Sequence, residues 1–166
     1  MREPVRDRER LEHIKDAIER IQDNIKTVSL DNLSSNVMVF YGIIKNIEII
    51  GEAAYNITNA FRNSHTETPW KSVMSMRNIL VHDYYKIKES QIRYVIEDDL
   101  APLLEQVKRY LDETDWAEWE CNEQARTESA VHKSLVQTAW RMKNKGYDVK
   151  EIMSITGLSR DEIEAL

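Results

Sequence analysis

Apolar side chains return every three or four residues along nearly the whole chain, and this regularity restricts the fold more than any other feature of its 166 residues. Leu11, Ile14, Ile18, Ile21 and Ile25 form one such stripe, and Phe40, Ile43, Ile47, Ile50, Ala54, Ile57 and Phe61 form a longer one. Steps of three and four keep side chains on one face of a helix, whereas a half-buried strand needs alternation by two. No segment alternates convincingly by two. The spacing therefore predicts a first helix through Leu11 to Ile25 and a long second one through Phe40 to Phe61. Thr68 and Pro69 predict the start of a third, with the hydroxyl as cap and the proline where no amide hydrogen is needed. Trp70, Val73, Met76 and Leu80 are its expected buried side. A fourth helix, from about Ser90 to Leu111, turns Ile92, Ile96, Leu100, Leu103 and Val107 inward, and Pro102 inside it predicts a kink or a shifted start. Four amphipathic helices in succession read as an all-α four-helix bundle. With only four Gly and three Pro, the chain lacks the turn makers of a sandwich or barrel.

The charge pattern divides the chain. Up to Leu111 there are 16 Lys and Arg against 17 Asp and Glu; beyond it there are 7 against 12. The bundle is thus near neutral, and most of the net charge of -6 falls on the remainder. Phosphate binding demands cations, so this balance argues against nucleic-acid binding mainly for the tail; a near-neutral bundle can still gather Lys and Arg on one face. Residues 112–128 carry seven acids and one base around Trp116 and Trp119 and read as an acidic linker between a bundle at 1–111 and an extension at 129–166. In the extension, Val131, Leu135, Thr138 and Met142 predict a fifth helix ended by Gly146. Asp148 with Glu151 and Ser159 with Glu162 have capping-box spacing, each opening a short helix, with Gly157 as the stop between them.

Other classes fall away quickly. A single cysteine excludes an intramolecular disulfide framework and a multi-cysteine zinc site. No apolar run approaches the roughly 18 residues of a membrane helix, and MREPVRDRER has no apolar stretch behind its charges, so no signal peptide is expected. The expectation is a soluble, cytoplasmic protein with neither metal nor cofactor.

Reactive side chains concentrate in Arg77-Asn78-Ile79-Leu80-Val81-His82-Asp83-Tyr84-Tyr85, where the third helix should end. The five-residue step from Arg77 to His82 turns through about 500° of helix. Their Cβ atoms diverge, and only the long arginine can bring both groups to one substrate. Asn78 lies one turn before His82, placed to orient its imidazole. Such residues also serve structure: a histidine near a helix C-terminus caps carbonyls, and Arg–Asp pairs decorate surfaces.

From about Leu11 to Leu111 the chain resembles HepT-type toxins of the HEPN superfamily, which are small helical ribonucleases. The matching segments are KNIEIIGEAAYNIT (45–58), ETPW (67–70), RNILVHDYY (77–85) and IEDDLAPLLEQV (96–107). The family's motif, arginine, four residues, histidine, one residue, tyrosine, falls here on Arg77, His82 and Tyr84. The resemblance implies metal-independent RNA cleavage, with Arg77 and His82 of two protomers facing each other across a homodimer cleft. The chemistry suits that arrangement. Cleavage through a 2′-hydroxyl needs a base for its proton and an acid for the leaving oxygen, and histidine can serve as either near neutrality. Arginine stays charged and offers a planar fork to phosphoryl oxygens. One motif histidine per chain makes a two-histidine mechanism a two-chain mechanism, because His13, His65 and His132 have no comparable setting. The resemblance also implies a partner, a minimal nucleotidyltransferase antitoxin that transfers AMP to the motif tyrosine, here Tyr84 in preference to the adjacent Tyr85.

Two positions depart from the family's pattern. Asp83 stands where relatives often have glycine; its carboxylate either raises the pKa of His82 or repels RNA. Lys45 stands where arginine is common, keeping the charge but not the bidentate geometry. Glu52, helix-embedded among apolar neighbours, pairs with Arg77 or Lys45 in a cleft or else is simply solvated. Gly42 and Gly51 weaken the second helix by about 1 kcal/mol each relative to alanine, which close helix approach, as at a dimer seam, would explain.

The tail has the look of a helix-turn-helix with TGLS as the turn. Its last helix begins near Arg160, ends within two turns and carries Asp161, Glu162 and Glu164, which argues against DNA binding and for a docking or dimer-supporting role. Two functional readings remain: a ribonuclease toxin, or a non-catalytic HEPN module that serves as partner or substrate of a nucleotidyltransferase. Retention of Arg77, Asn78, His82 and Tyr84 favours either over a plain oligomerisation domain.

Overall fold

The computed structural model describes residues 7–26, 28–82 and 88–166, with the side chains at 31, 32 and 77–82 outside the description. The described residues are helical, with no strand among them. They divide into two compact units, Met1–Thr114 and Asp115–Leu166.

In the first unit α1 spans Asp7–Ile25, and a 3-10 turn at Leu30–Ser35 leads to α2, Val37–Asn56. A short α3 covers Asn59–Ser64, and α4 covers Trp70–His82. The last arm is α5, Glu89–Tyr94, then a π turn at Val95–Asp99 and α6, Leu100–Glu113. Helix α2 packs against both α1 and α4, and α1 against α6, giving the expected all-α bundle. The stripes form its core: Leu11, Ile14, Ile18 and Ile21, then Ile43, Ile47, Ile50, Ala54, Ile57 and Phe61, and Ile92, Ile96, Leu100, Leu103 and Val107 are all buried. Each fully buried isoleucine or leucine contributes about 1.5–3 kcal/mol relative to an exposed one.

Two local features differ from the sequence expectation, and a third meets it. The second helix does not run to Phe61. It stops at Asn56, with Ile57 extended, because groups remote in sequence stabilise the break. The Asp7 carboxylate accepts from the Thr58 amide at 2.8 Å and the Thr58 hydroxyl at 2.7 Å. The Arg62 guanidinium donates to the carbonyls of Ala54 and Tyr55 at 3.0 Å and Ile57 at 2.6 Å, satisfying oxygens that the end of α2 leaves open. Thr58 then caps α3, its hydroxyl accepting from the Phe61 amide at 3.2 Å. Second, the Thr68 hydroxyl donates to Gln106 Oε1 at 2.9 Å and pairs with the Tyr110 hydroxyl at 2.6 Å. It ties the base of α4 to α6 instead of serving as the expected cap. Third, Pro102 shifts the start of α6. It has no amide hydrogen to offer the preceding turn and its ring crowds the carbonyl four residues back. The backbone widens just before it, the Leu100 amide donating to the Val95 carbonyl five residues back.

In the second unit a 29-residue α7 spans Trp116–Asn144, followed by α8, Val149–Thr156, and α9, Arg160–Glu164. Residues 112–128, expected as a linker, are thus mostly helical. Asp115 opens α7 by accepting from the Glu118 amide at 3.0 Å, and the carboxylates beyond it belong to good helix formers. Both capping boxes form, at Asp148–Glu151 and Ser159–Glu162, and Gly157 closes α8 at φ +71°. Gly146, at φ +85°, follows the end of α7. The small core of this unit is Ala139, Ile152, Leu158 and Ile163, with Leu135, Val136 and Met142 packed on it. Val131 and Thr138, expected on the buried side of this helix, are exposed.

Candidate active site

Helix α4 carries Arg77, Asn78 and His82, and its anchoring begins with its first residues. Trp70 and Val73 are buried, and the Trp70 indole donates to the His65 carbonyl at 2.8 Å. Around this point Phe61 stacks on His65, with centroids 4.1 Å apart, and meets Trp70 and Tyr110 edge-on at 6.4 and 5.8 Å. The buried Thr68–Tyr110 hydrogen bond and the half-buried one from Thr68 to Gln106 close the cluster, and burial raises the Tyr110 phenol pKa, keeping it protonated. The ETPW segment thus holds one end of α4 in aromatic and polar packing.

At the other end, His82 is the last residue of α4, and Arg77 and Asn78 lie within the same helix. In helical backbone the Arg77 and His82 Cα atoms are separated by about 7.5 Å along the axis and about 140° around it. Asn78 is one turn before His82. Asp83, Tyr84 and Tyr85 lie outside the described residues, as do the side chains of Arg77, Asn78 and His82.

The chain re-enters the described structure at Lys88, and here too it is clasped. The Glu89 carboxylate accepts from the Leu33 amide at 2.6 Å and from the Ser34 hydroxyl, joining the first residue of α5 to the 3-10 turn. These bonds, the Ser34 hydroxyl first, hold its carboxyl below the ordinary value of 4.5. A carboxyl depressed on folding contributes stability above its unfolded pKa, and that contribution is lost as pH falls through the folded value. The Leu33 amide is therefore expected to exchange slowly near neutral pH and to lose protection as pH falls through the lowered Glu89 carboxyl value. In Glu89→Gln this pH dependence disappears, as amide hydrogen exchange will show.

Lys45 and Glu52 lie on α2, the helix that packs against α4. Lys45 Nζ pairs with Glu48 Oε2 at 3.0 Å, while the Glu52 carboxylate, exposed rather than enclosed by its apolar neighbours, accepts from Asn56 Nδ2 at 3.0 Å. Glu48, Arg10 and His13 join Lys45 and Glu52 around a depression between α1 and α2. The sequence reading set His13 aside and did not weigh Arg10 or Glu48; the three-residue steps from Arg10 to His13 and from Lys45 to Glu48 were the available signal. Gly42 has open space where a Cβ would stand, so packing against this chain's own described atoms does not account for it. Among the described residues no three His, Cys, Asp or Glu side chains gather as metal ligands, and no helix is long and apolar enough to cross a membrane.

Comparison with known proteins gives this arrangement a context. A family model described as ribonuclease HepT-like matches residues 14–110, which include α2, α4 and the motif. Two similar relatives carry the name "Putative RNase". TTE0752 of Caldanaerobacter subterraneus subsp. tengcongensis is 32% identical over 101 residues, 61% of this chain and 90% of the relative. MJ1380 of Methanocaldococcus jannaschii is 33% identical over 98 residues, 59% of this chain and 86% of the relative. A third, named "Probable ribonuclease HepT", from Thermococcus cleftensis, is 31% identical over 93 residues, 56% of this chain and 84% of the relative. No solved structure matches significantly. The match spans the bundle from the middle of α1 to the end of α6 and leaves the second unit aside, and on it the chain belongs to the HepT-like ribonuclease family.

Proposed function

We propose that this chain is a metal-independent endoribonuclease, the toxin of a toxin–antitoxin pair, acting as a homodimer with Arg77 and His82 of both protomers at a shared cleft. The observation that carries the reading is the Arg77–His82–Tyr84 spacing in the sequence, with Arg77 and His82 in α4, inside the segment that matches the HepT-like family. In the proposed reaction the ribose 2′-oxygen loses its proton to a base and attacks phosphorus. The bond to the 5′-oxygen breaks, and that oxygen takes a proton from an acid. Two histidines, one from each protomer, fill the two roles. Arg77 neutralises the charge that builds on the phosphoryl oxygens, and its planar fork suits two of them at once. Asn78 orients the His82 imidazole. Lys45 and Glu52 support the cleft from α2, and Asp83 adjusts the charge beside the histidine.

The partner in this reading is a minimal nucleotidyltransferase antitoxin. It transfers AMP from ATP to the Tyr84 hydroxyl, forming a phosphodiester and releasing pyrophosphate. The added nucleotide, two residues from His82, puts bulk and negative charge where the substrate's phosphate would sit. Treatment with such an enzyme and ATP should add the mass of one AMP residue per chain and silence cleavage. Tyr84→Phe should prevent both, while Tyr85→Phe should leave both intact. Addition of AMP to Tyr84→Phe, or unaltered cleavage by the modified chain, would refute this part.

A further inference from the structure

The exposed face of α2 has a pattern that the bundle core does not use. Met38, Tyr41, Lys45, Glu48, Glu52 and Tyr55 follow one another in steps of three, four, three, four and three. That is the heptad spacing of a seam between two helices. Its apolar members lie in water in the single chain: Met38 is 83% exposed, Tyr41 56% and Tyr55 59%. Of the five large apolar residues exposed among the described residues of the first unit, four lie on α2. Met38 and Tyr41, one turn apart, form an exposed apolar patch of the kind that marks interaction sites.

The order of the six residues specifies the occupant. Reversing the stripe about its midpoint, between Lys45 and Glu48, sets Met38 opposite Tyr55, Tyr41 opposite Glu52 and Lys45 opposite Glu48. Each is a favourable pair: a thioether against an aromatic ring, a phenol against a carboxylate, a cation against an anion. A stripe that complements its own reversal is what an isologous two-fold interface requires. Within one chain Lys45 and Glu48 already pair at 3.0 Å, but with side chains 65% and 32% exposed, and such surface pairs contribute little. Exchanging that pair for two reciprocal pairs across a seam costs little. Gly42, one residue past Tyr41 and with open space at its Cβ position, lets a second helix approach the flank of the stripe. We infer that α2 packs antiparallel against α2 of a second copy of this chain, with Lys45 and Glu48 reaching across to each other's partners. The inference rests on the homodimer proposed above and assigns it a surface.

Charge exchange tests it. The unaltered chain, Lys45→Glu, Glu48→Lys and an equimolar mixture of the two variants are compared by sedimentation equilibrium, with circular dichroism to follow folding. The parent should sediment at twice its 19.5 kDa chain mass. Each variant alone sets like charges opposite each other at both reciprocal positions and should dissociate at least tenfold more readily. The mixture restores opposite charges at both positions and should return the dimer, which also shows that neither variant is misfolded. A dimer unaffected by either substitution would overturn the α2 seam and leave the homodimer standing. Weakened variants that fail to associate on mixing would overturn the Lys45–Glu48 pairing and with it the inference. A parent monomeric at all concentrations would overturn both the seam and the homodimer.

Discussion

His82→Ala is expected to lower RNA cleavage by about 10²–10⁴-fold, the range for loss of a positioned acid or base. The reaction must remove one proton and deliver another, and His82 is the motif side chain able to do either near neutral pH. In the proposed homodimer each protomer supplies one copy, so the substitution removes acid and base together and places the effect at the upper end of that range. Arg77→Ala should cost about 10²–10³-fold, as loss of a preorganised charge facing the phosphoryl oxygens does elsewhere. Arg77→Lys should recover part of this, because the charge returns without the planar fork. The double variant should be no slower than the worse single one, since residues that act as a unit are not additive. The parent's rate should rise and then fall with pH, and His82→Ala should flatten that profile. Single-turnover cleavage of a defined RNA across pH checks all of this. Full activity in His82→Ala would remove the histidine from the mechanism.

Phe61→Ala should destabilise the bundle by about 3–5 kcal/mol, the usual cost of truncating a fully buried aromatic ring. Phe61 has no exposed surface. Its ring stacks on His65 and meets Trp70 and Tyr110 edge-on, so its removal leaves a cavity bounded by three rings. It also lies in α3 with its ring against Trp70, the first residue of α4, so the cavity loosens the base of the helix that carries Arg77 and His82. Urea denaturation should show a lower midpoint with an unchanged slope for the first unit. Cleavage measured well below the transition should fall as well, because the motif would be less firmly held. A loss under about 1 kcal/mol would mean that the aromatic cluster is not the anchor of α4.

The main helices were legible because burial imposes a period, and Leu11 to Ile25 or Ile92 to Val107 can satisfy it only as helix. The capping boxes at Asp148 and Ser159 were legible because donor and acceptor lie three residues apart. The break at Ile57 was not: the stripe continues unbroken to Phe61, and the reasons for the break are Asp7, 51 residues away from Thr58, and Arg62 folding back on the end of α2. Thr68 misled for a similar reason, since its partners Gln106 and Tyr110 lie on another helix. Residues 112–128 read as a linker because charge was weighed above helix propensity; the Asp115 cap and the glutamates after it were the better signal. At the candidate site the spacing of Arg77, His82 and Tyr84 was plain from the sequence, and α4 supplies the helical backbone under the first two. The heptad stripe on α2 was equally readable, but Lys45 and Glu52 were weighed singly, and the stripe gains meaning once Met38, Tyr41 and Tyr55 are seen to be exposed.

The central claim is that this chain cuts RNA with its motif histidine and without a metal. The most direct measurement incubates the purified, AMP-free chain with total cellular RNA in excess chelator, beside His82→Ala prepared identically. The account predicts fragmentation by the parent and none by the variant. Equal fragmentation by both would assign the activity elsewhere, and intact RNA in both, with Tyr84 unmodified by mass, would contradict the nuclease and leave a HEPN module that only binds.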